Sequence, residues 1–222
     1  MIALPHDLLH PRWAAVIFWT TRSPHHQSSP ACAVDCLEIG GPADLVLAVA
    51  RATGRTATEV EERLLRGARC LIARVGDDIA SVCWLSRSPE WLQEINCVFR
   101  PPEGDLYIWD CLTRPSFRGR HLYPTLLAAA ADRWRRDGGR GLWIATRWDN
   151  WRSARGITRA RFRPVGMVIG ARWLLVRRWW ILGAPGAPAH LVRTLKQAIQ
   201  PGPMRRSSRP DQLVSGLQSA RR

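Results

Sequence analysis

Along the chain, apolar and polar positions change period several times, and the changes mark out elements. Residues 33–39 alternate enough to predict a first strand, which Gly40-Gly41-Pro42 ends. Pro42 suits the first turn of a helix running to about residue 52. Thr58, with Glu61 at capping-box spacing, predicts the start of a second short helix. A strand-like period follows over 70–75 and 79–86, split by Gly76-Asp77-Asp78, and this predicts a hairpin. Residues 91–99 predict a third strand of this group, and 106–113 the central strand of the sheet. After the turn 114–120 comes an alanine-rich helix over 121–136, a short strand over 142–146, and a helix from Asn150 to about residue 162. Residues 163–171 and 172–182 read as a closing pair of strands, and 189–199 as a short helix after the linker 183–186.

These elements predict an α/β (α+β) fold: a mixed, mainly antiparallel sheet of six or seven strands with helices on both faces. The expected domain spans 34–182. Residues 1–33 carry Pro5, Pro11, Pro24 and Pro30 and read as an irregular or disordered leader with an apolar knot at 13–19. Residues 200–222 are rich in Pro, Ser and Arg and read as a disordered basic tail.

Composition changes this picture in three ways. The formal charge of +15 invites a nucleic-acid reading, but Lys196 is the only lysine, a skew that looks like coding bias rather than a selected patch. The charge is also local: from Arg114 to Arg178 sixteen arginines face Asp132, Asp137 and Asp149, an excess of +13. A phosphate-bearing ligand would be drawn to that region, and nucleic acid is not expected as the partner. Twelve tryptophans exceed what a sealed core needs, so Trp84, Trp91 and Trp109 are candidates to line a groove. Of the six cysteines, Cys70, Cys83, Cys97 and Cys111 fall within predicted strands among apolar neighbours, and Cys32 and Cys36 have no second pair at zinc spacing. No metal site is expected, and a reducing, cytoplasmic setting is. No apolar run reaches the ~18 residues of a membrane span.

A strand passing to a helix through an Arg-Gly turn is a place where backbone N–H groups can hold phosphate. Here the turn carries Pro115, Phe117, Arg118 and Gly119, followed by Leu122, Leu126 and Leu127; further on, Asn150, Ser153 and Phe162 keep the spacing of a second motif. In these two motifs the chain resembles the GNAT superfamily of acyl-CoA-dependent N-acetyltransferases, over roughly residues 34–182. It is similar to a divergent member. His121 and Tyr123 stand where the family's turn has further glycines, Ile157 where a tyrosine often serves as acid, and Arg161 where a glycine precedes the phenylalanine.

The resemblance implies an N-acyltransferase that moves an acetyl or other acyl group from acyl-CoA to an amine by direct attack, without a metal. It implies a cofactor site at Leu112, Thr113, Arg118, Gly119, Arg120, His121, Leu122, Tyr123, Asn150 and Ser153. The amides of 118–123 would grip the pyrophosphate, and an N–H near Leu112 or Thr113 would polarise the thioester. Glu94, expected on the strand before the central one, and Asp110 are the candidate bases. Tyr123 or Tyr107 is the candidate acid. The amine acceptor is not identified by the sequence, and a homodimer is left open. Two other readings stand beside this one: a GNAT-fold acyl-CoA-binding or interaction module without catalysis, and a basic nucleic-acid-binding domain.

Overall fold

A run of apolar side chains on both faces, from Ala15 to Trp19, makes the first strand, β1 (Arg12–Thr20), of the computed structural model. The structure describes residues 12–21, 34–38, 40–173 and 176–202. In chain order β1 is followed by β2 (Val34–Leu37), α1 (Ala43–Thr53), α2 (Ala57–Leu65), β3 (Arg69–Val75), β4 (Asp78–Ser86), β5 (Glu90–Leu92), β6 (Cys97–Phe99) and β7 (Asp105–Thr113). A single 3-10 turn (Pro115–Phe117) leads to α3 (Leu122–Arg136), β8 (Gly141–Arg147) and α4 (Trp151–Arg159). Then come β9 (Arg163–Trp173), β10 (Val176–Gly183), α5 (Ala189–Ala198) and β11 (Ile199–Pro201).

Eight strands form one sheet in the order β10-β9-β1-β8-β7-β4-β3-β2, antiparallel except for the parallel pair β7–β8. The mixed, mainly antiparallel sheet is as the sequence predicts; the eighth strand is β1. Residues 12–20, expected in an irregular leader, instead lie between β8 and β9 and pair with both. A strand with neighbours on both edges and cover on both faces needs apolar residues throughout, and Ala15, Val16, Phe18 and Trp19 are all buried.

Two other boundaries differ. Residues 91–99 do not form one strand. They break into β5 and β6 around a turn and join β11 in a separate three-stranded sheet, so residues 199–201 belong to a strand; residues 203–222 lie outside the described residues, as do 1–11 and 22–33. The second helix starts earlier than Thr58 predicts. Thr56 caps it, its Oγ1 accepting from Glu59 N at 3.2 Å while Glu59 Oε2 accepts from Thr56 N at 2.8 Å. This frame sets Val60 and Leu64 four residues apart on the buried face.

The sheet is covered on both faces. On one, Leu126, Leu127, Ala130 and Trp134 of α3 and Ile157 of α4 pack against Leu106, Ile108, Leu142 and Ile144. On the other, α1 and α2 cover Ile72, Val82 and Trp84, while α5 and the small sheet cover Phe18, Tyr107 and Trp143. Trp109 touches both of these latter groups. Cys36, Cys70, Cys83, Cys97 and Cys111 are free thiols.

Candidate functional site

The site begins where β7 and β8 part. Their parallel register runs from Asp105↔Gly141 to Ile108↔Ile144 and stops there, although β7 continues to Thr113. On its other side β7 stays paired with β4, but between Trp84↔Trp109 and Val82↔Leu112 it carries one extra residue. Asp110, with φ of +45°, lies in this bulge. A bulge bends its strand and raises the local twist, which turns the last residues of β7 away from β8. Arg114 N donates to Ala80 O at 3.0 Å. By the two-residue alternation of an antiparallel ladder, Leu112 N–H then also turns to β4, and the backbone polar groups of Thr113 turn to the opened edge. Arg118 Nε reaches Thr113 O from that edge, at 3.4 Å.

The turn after β7 supplies a second set of donors. Gly119 has φ of +82° and nothing within 4 Å of where a Cβ would stand, so this stretch of backbone is open to a ligand. His121 holds the left-handed conformation too, φ +58° and ψ 15°, so the family's glycine-like backbone persists without the glycine. The helix ladder of α3 begins when Thr125 N donates to His121 O at 3.2 Å. Leu122 and Tyr123 precede it, in the turn whose N–H groups have no acceptor within the helix, and Pro124 has no N–H to offer.

α4 closes the other wall. Asn150 caps it, its Oδ1 accepting from Ser153 N at 3.1 Å. Tyr123 lies against Gly156, where an added Cβ would come within 2.5 Å of the ring, and its hydroxyl shares a 3.1 Å hydrogen bond with Ser153 Oγ. Burial pushes the Tyr123 phenol well above its ordinary range, so it stays protonated and is a reluctant donor to a thiolate.

Between these walls lies a groove of about 630 Å³. It is lined by Leu112, Thr113, Arg118, Gly119, His121, Leu122, Tyr123, Asn150 and Ser153, nine of the ten residues expected to hold the cofactor. Arg120 is not among them; its guanidinium sits over the Phe117 ring, 5.4 Å from the centroid. Sequence reasoning missed Trp151, Arg152, Arg155, Gly156 and Arg159, which with Ser153 make up the α4 wall. For the arginines the signal was available: positions 152, 155 and 159 are three and four apart and share a helical face. The groove-lining residues include four arginines and no carboxylate.

The candidate bases lie elsewhere. Asp110 Oδ2 accepts from Arg55 at 2.7 Å and Arg63 at 2.5 Å, and Arg63 also lies over Trp109 and Trp84, 4.6 and 5.0 Å from their centroids. Glu94 is exposed in the turn between β5 and β6, not on a strand. Its charge is felt at Tyr107 of β7 and Arg147 of β8, the two strands that part. Tyr107 is buried and its phenol is pushed far up, first by burial. Trp84 is fully buried rather than lining a groove; Trp13, Trp148 and Trp151 are the tryptophans exposed nearest this end of the sheet. Among the described residues no three His, Cys, Asp or Glu side chains gather where a metal could be held, and no helix is long and apolar enough to cross a membrane.

A mixed sheet split beside an Arg-Gly turn, with a cationic groove at the split, suits an anionic, phosphate-bearing ligand. Residues 47–156 match the family model described as the Acetyltransferase (GNAT) family. The chain belongs to the GNAT acetyltransferases as a divergent member. Among solved structures it is similar to a putative GNAT-family acetyltransferase of Novosphingobium aromaticivorans, with TM-score 0.53 and 15% identity over 76% of this chain and 68% of that one. It is also similar to a GNAT-family acetyltransferase of Colwellia psychrerythraea, with TM-score 0.50 and 8% identity, over 78% of this chain but only 57% of that protein. At these identities the likeness is one of fold. No match was found among curated protein sequences.

Proposed function

We propose that the chain is an N-acyltransferase that moves an acetyl or other acyl group from acyl-CoA to an amine by direct attack. The observation that carries this reading is the split between β7 and β8 beyond Ile108, with a groove beside it lined by four arginines and no acid. The CoA diphosphate lies on the amides of the 118–123 turn, at the positive end of α3. Its pantetheine arm runs along the opened edge of β7, beside Asn150 and Ser153. Thr113 N–H donates to the thioester oxygen as negative charge grows there.

The amine comes from the opposite face of the sheet. Its nitrogen forms the new bond to the acyl carbon, the carbon–sulfur bond breaks, and CoA leaves as thiolate. A thiol of pKa ~8.5 needs no strong acid at this step, in keeping with Ile157, which lies fully buried where the family's tyrosine is usual. Glu94 receives the amine proton, directly or through water. Asp110 is the second candidate, its Oδ2 already held by the guanidiniums of Arg55 and Arg63.

The test is CoA release from acetyl-CoA across a panel of sugar, aromatic and peptide amines, with binding measured separately. Acceptor-dependent release supports the transferase. CoA binding without release for any amine favours the second reading, a CoA-binding module without catalysis, for which the departures at His121, Tyr123 and Ile157 speak.

A further inference from the structure

The residue that departs most from the family's turn is also the one that reaches across the groove. His121 Nδ1 lies 3.2 Å from a terminal nitrogen of Arg159, bridging the start of α3 and the end of α4. A guanidinium has no acceptor, so Nδ1 accepts and the imidazole proton is on Nε2. Arg159 thereby fixes the tautomer in which His121 presents an N–H donor. One and two turns back along α4, Arg155 and Arg152 line the same groove. Three guanidiniums on one helix, with no groove-lining carboxylate, repel one another until an anion lies between them. Arg147, near the head of α4, is by contrast already tied to Asp149 at 2.6 Å.

We propose that His121, Arg155 and Arg159 form a side-chain clamp for the phosphates of the acyl donor, adding to the grip of the turn's amides a second one that a glycine at 121 could not give. The clamp rests on the acyl-CoA reading above and says how this chain performs it. The ligand class is a phosphorylated nucleotide thioester, and the diphosphate is the group gripped. The backbone of the turn needs only φ near +60° at residue 121, which histidine supplies at some conformational cost, and in exchange the position gains a donor.

The substitution His121→Gly separates a clamp from a merely tolerated departure. Glycine relieves the backbone and restores the family's residue, so a turn that works through amides alone should bind CoA more tightly. The clamp predicts the reverse. Calorimetric titration of the full chain with CoA should show affinity falling about tenfold in His121→Gly and about tenfold to a hundredfold in Arg159→Gln. The combined variant should lose less than the product of the two, because the pair acts as a unit. CoA lacking the 3′-phosphate should show the same fold losses, and pantetheine, which has no diphosphate, should bind all variants alike. Thermal transitions at or above that of the parent for His121→Gly, and near it for Arg159→Gln, exclude unfolding as the cause. CoA affinity unchanged or improved in both single variants overturns the clamp while leaving the acyl-CoA reading in place. A parent chain that takes up no CoA overturns both.

Discussion

The two halves of β7 are built for opposite purposes. From Asp105 to Ile108 the strand pairs with β8, is joined by β4 on its other edge from Tyr107 onward, and is buried on both faces: Leu106, Tyr107 and Ile108 are each less than 5% exposed, and Asp105 Oδ2 accepts from the Trp143 indole. From Trp109 to Thr113 it keeps only β4, carries a bulge, and is partly exposed. The first half holds the sheet together. The second gives up a row of ladder hydrogen bonds to leave backbone donors facing a groove. Both halves are apolar in sequence, so what separates them is one additional residue and a parting of neighbours, not hydrophobicity.

The largest difference between the halves is expected in the chemistry on the open one. Glu94→Gln should lower kcat by about 10²–10⁴ and leave CoA affinity unchanged, since the carboxylate does not line the groove. A drop in Asp110→Asn alone transfers the base to Asp110, and normal turnover in both removes the assignment. Next in size is the closed half. Ile108→Ala should cost about 2–5 kcal/mol in denaturant unfolding, whereas Leu112→Ala, on the half-exposed stretch, should cost clearly less. Equal costs would mean that the split does not divide stability from function. Smallest is a contrast remote from the split: Thr56→Ala should cost about 1 kcal/mol and Thr58→Ala under half of that, which checks the capping frame of α2.

Most of the sheet was legible because its hairpins and crossovers are local. The 70–86 hairpin announces itself by a turn signal between two apolar runs, and the α3 and α4 crossovers by motif and period. β1 was not legible. Its partners lie more than a hundred residues away, as in the bond from Thr20 Oγ1 to Leu142 O, and flanking prolines gave the segment the look of a leader. The cofactor wall of the site could be read from the Arg-Gly turn and Asn150, since those positions sit in a fixed frame. The bulge at Asp110 could not. It depends on register against β4, which no local pattern encodes. Charge counting found the arginine excess but not its placement, which rests on the helical face of α4. Tryptophan content suggested a lined groove, yet Trp84 is sealed under α1 and α2, because composition does not say which face of a strand a ring occupies.

Function in this chain depends first on a CoA diphosphate binding in the split beside the 118–123 turn. Isothermal titration of acetyl-CoA into the parent chain and into Arg118→Glu tests it most directly. Saturable binding at one site per chain is expected, weakened at least a hundredfold when a carboxylate replaces the Arg118 guanidinium, with the thermal transition of the free protein unchanged. Binding of equal strength in the two proteins, or none in the parent, would contradict it.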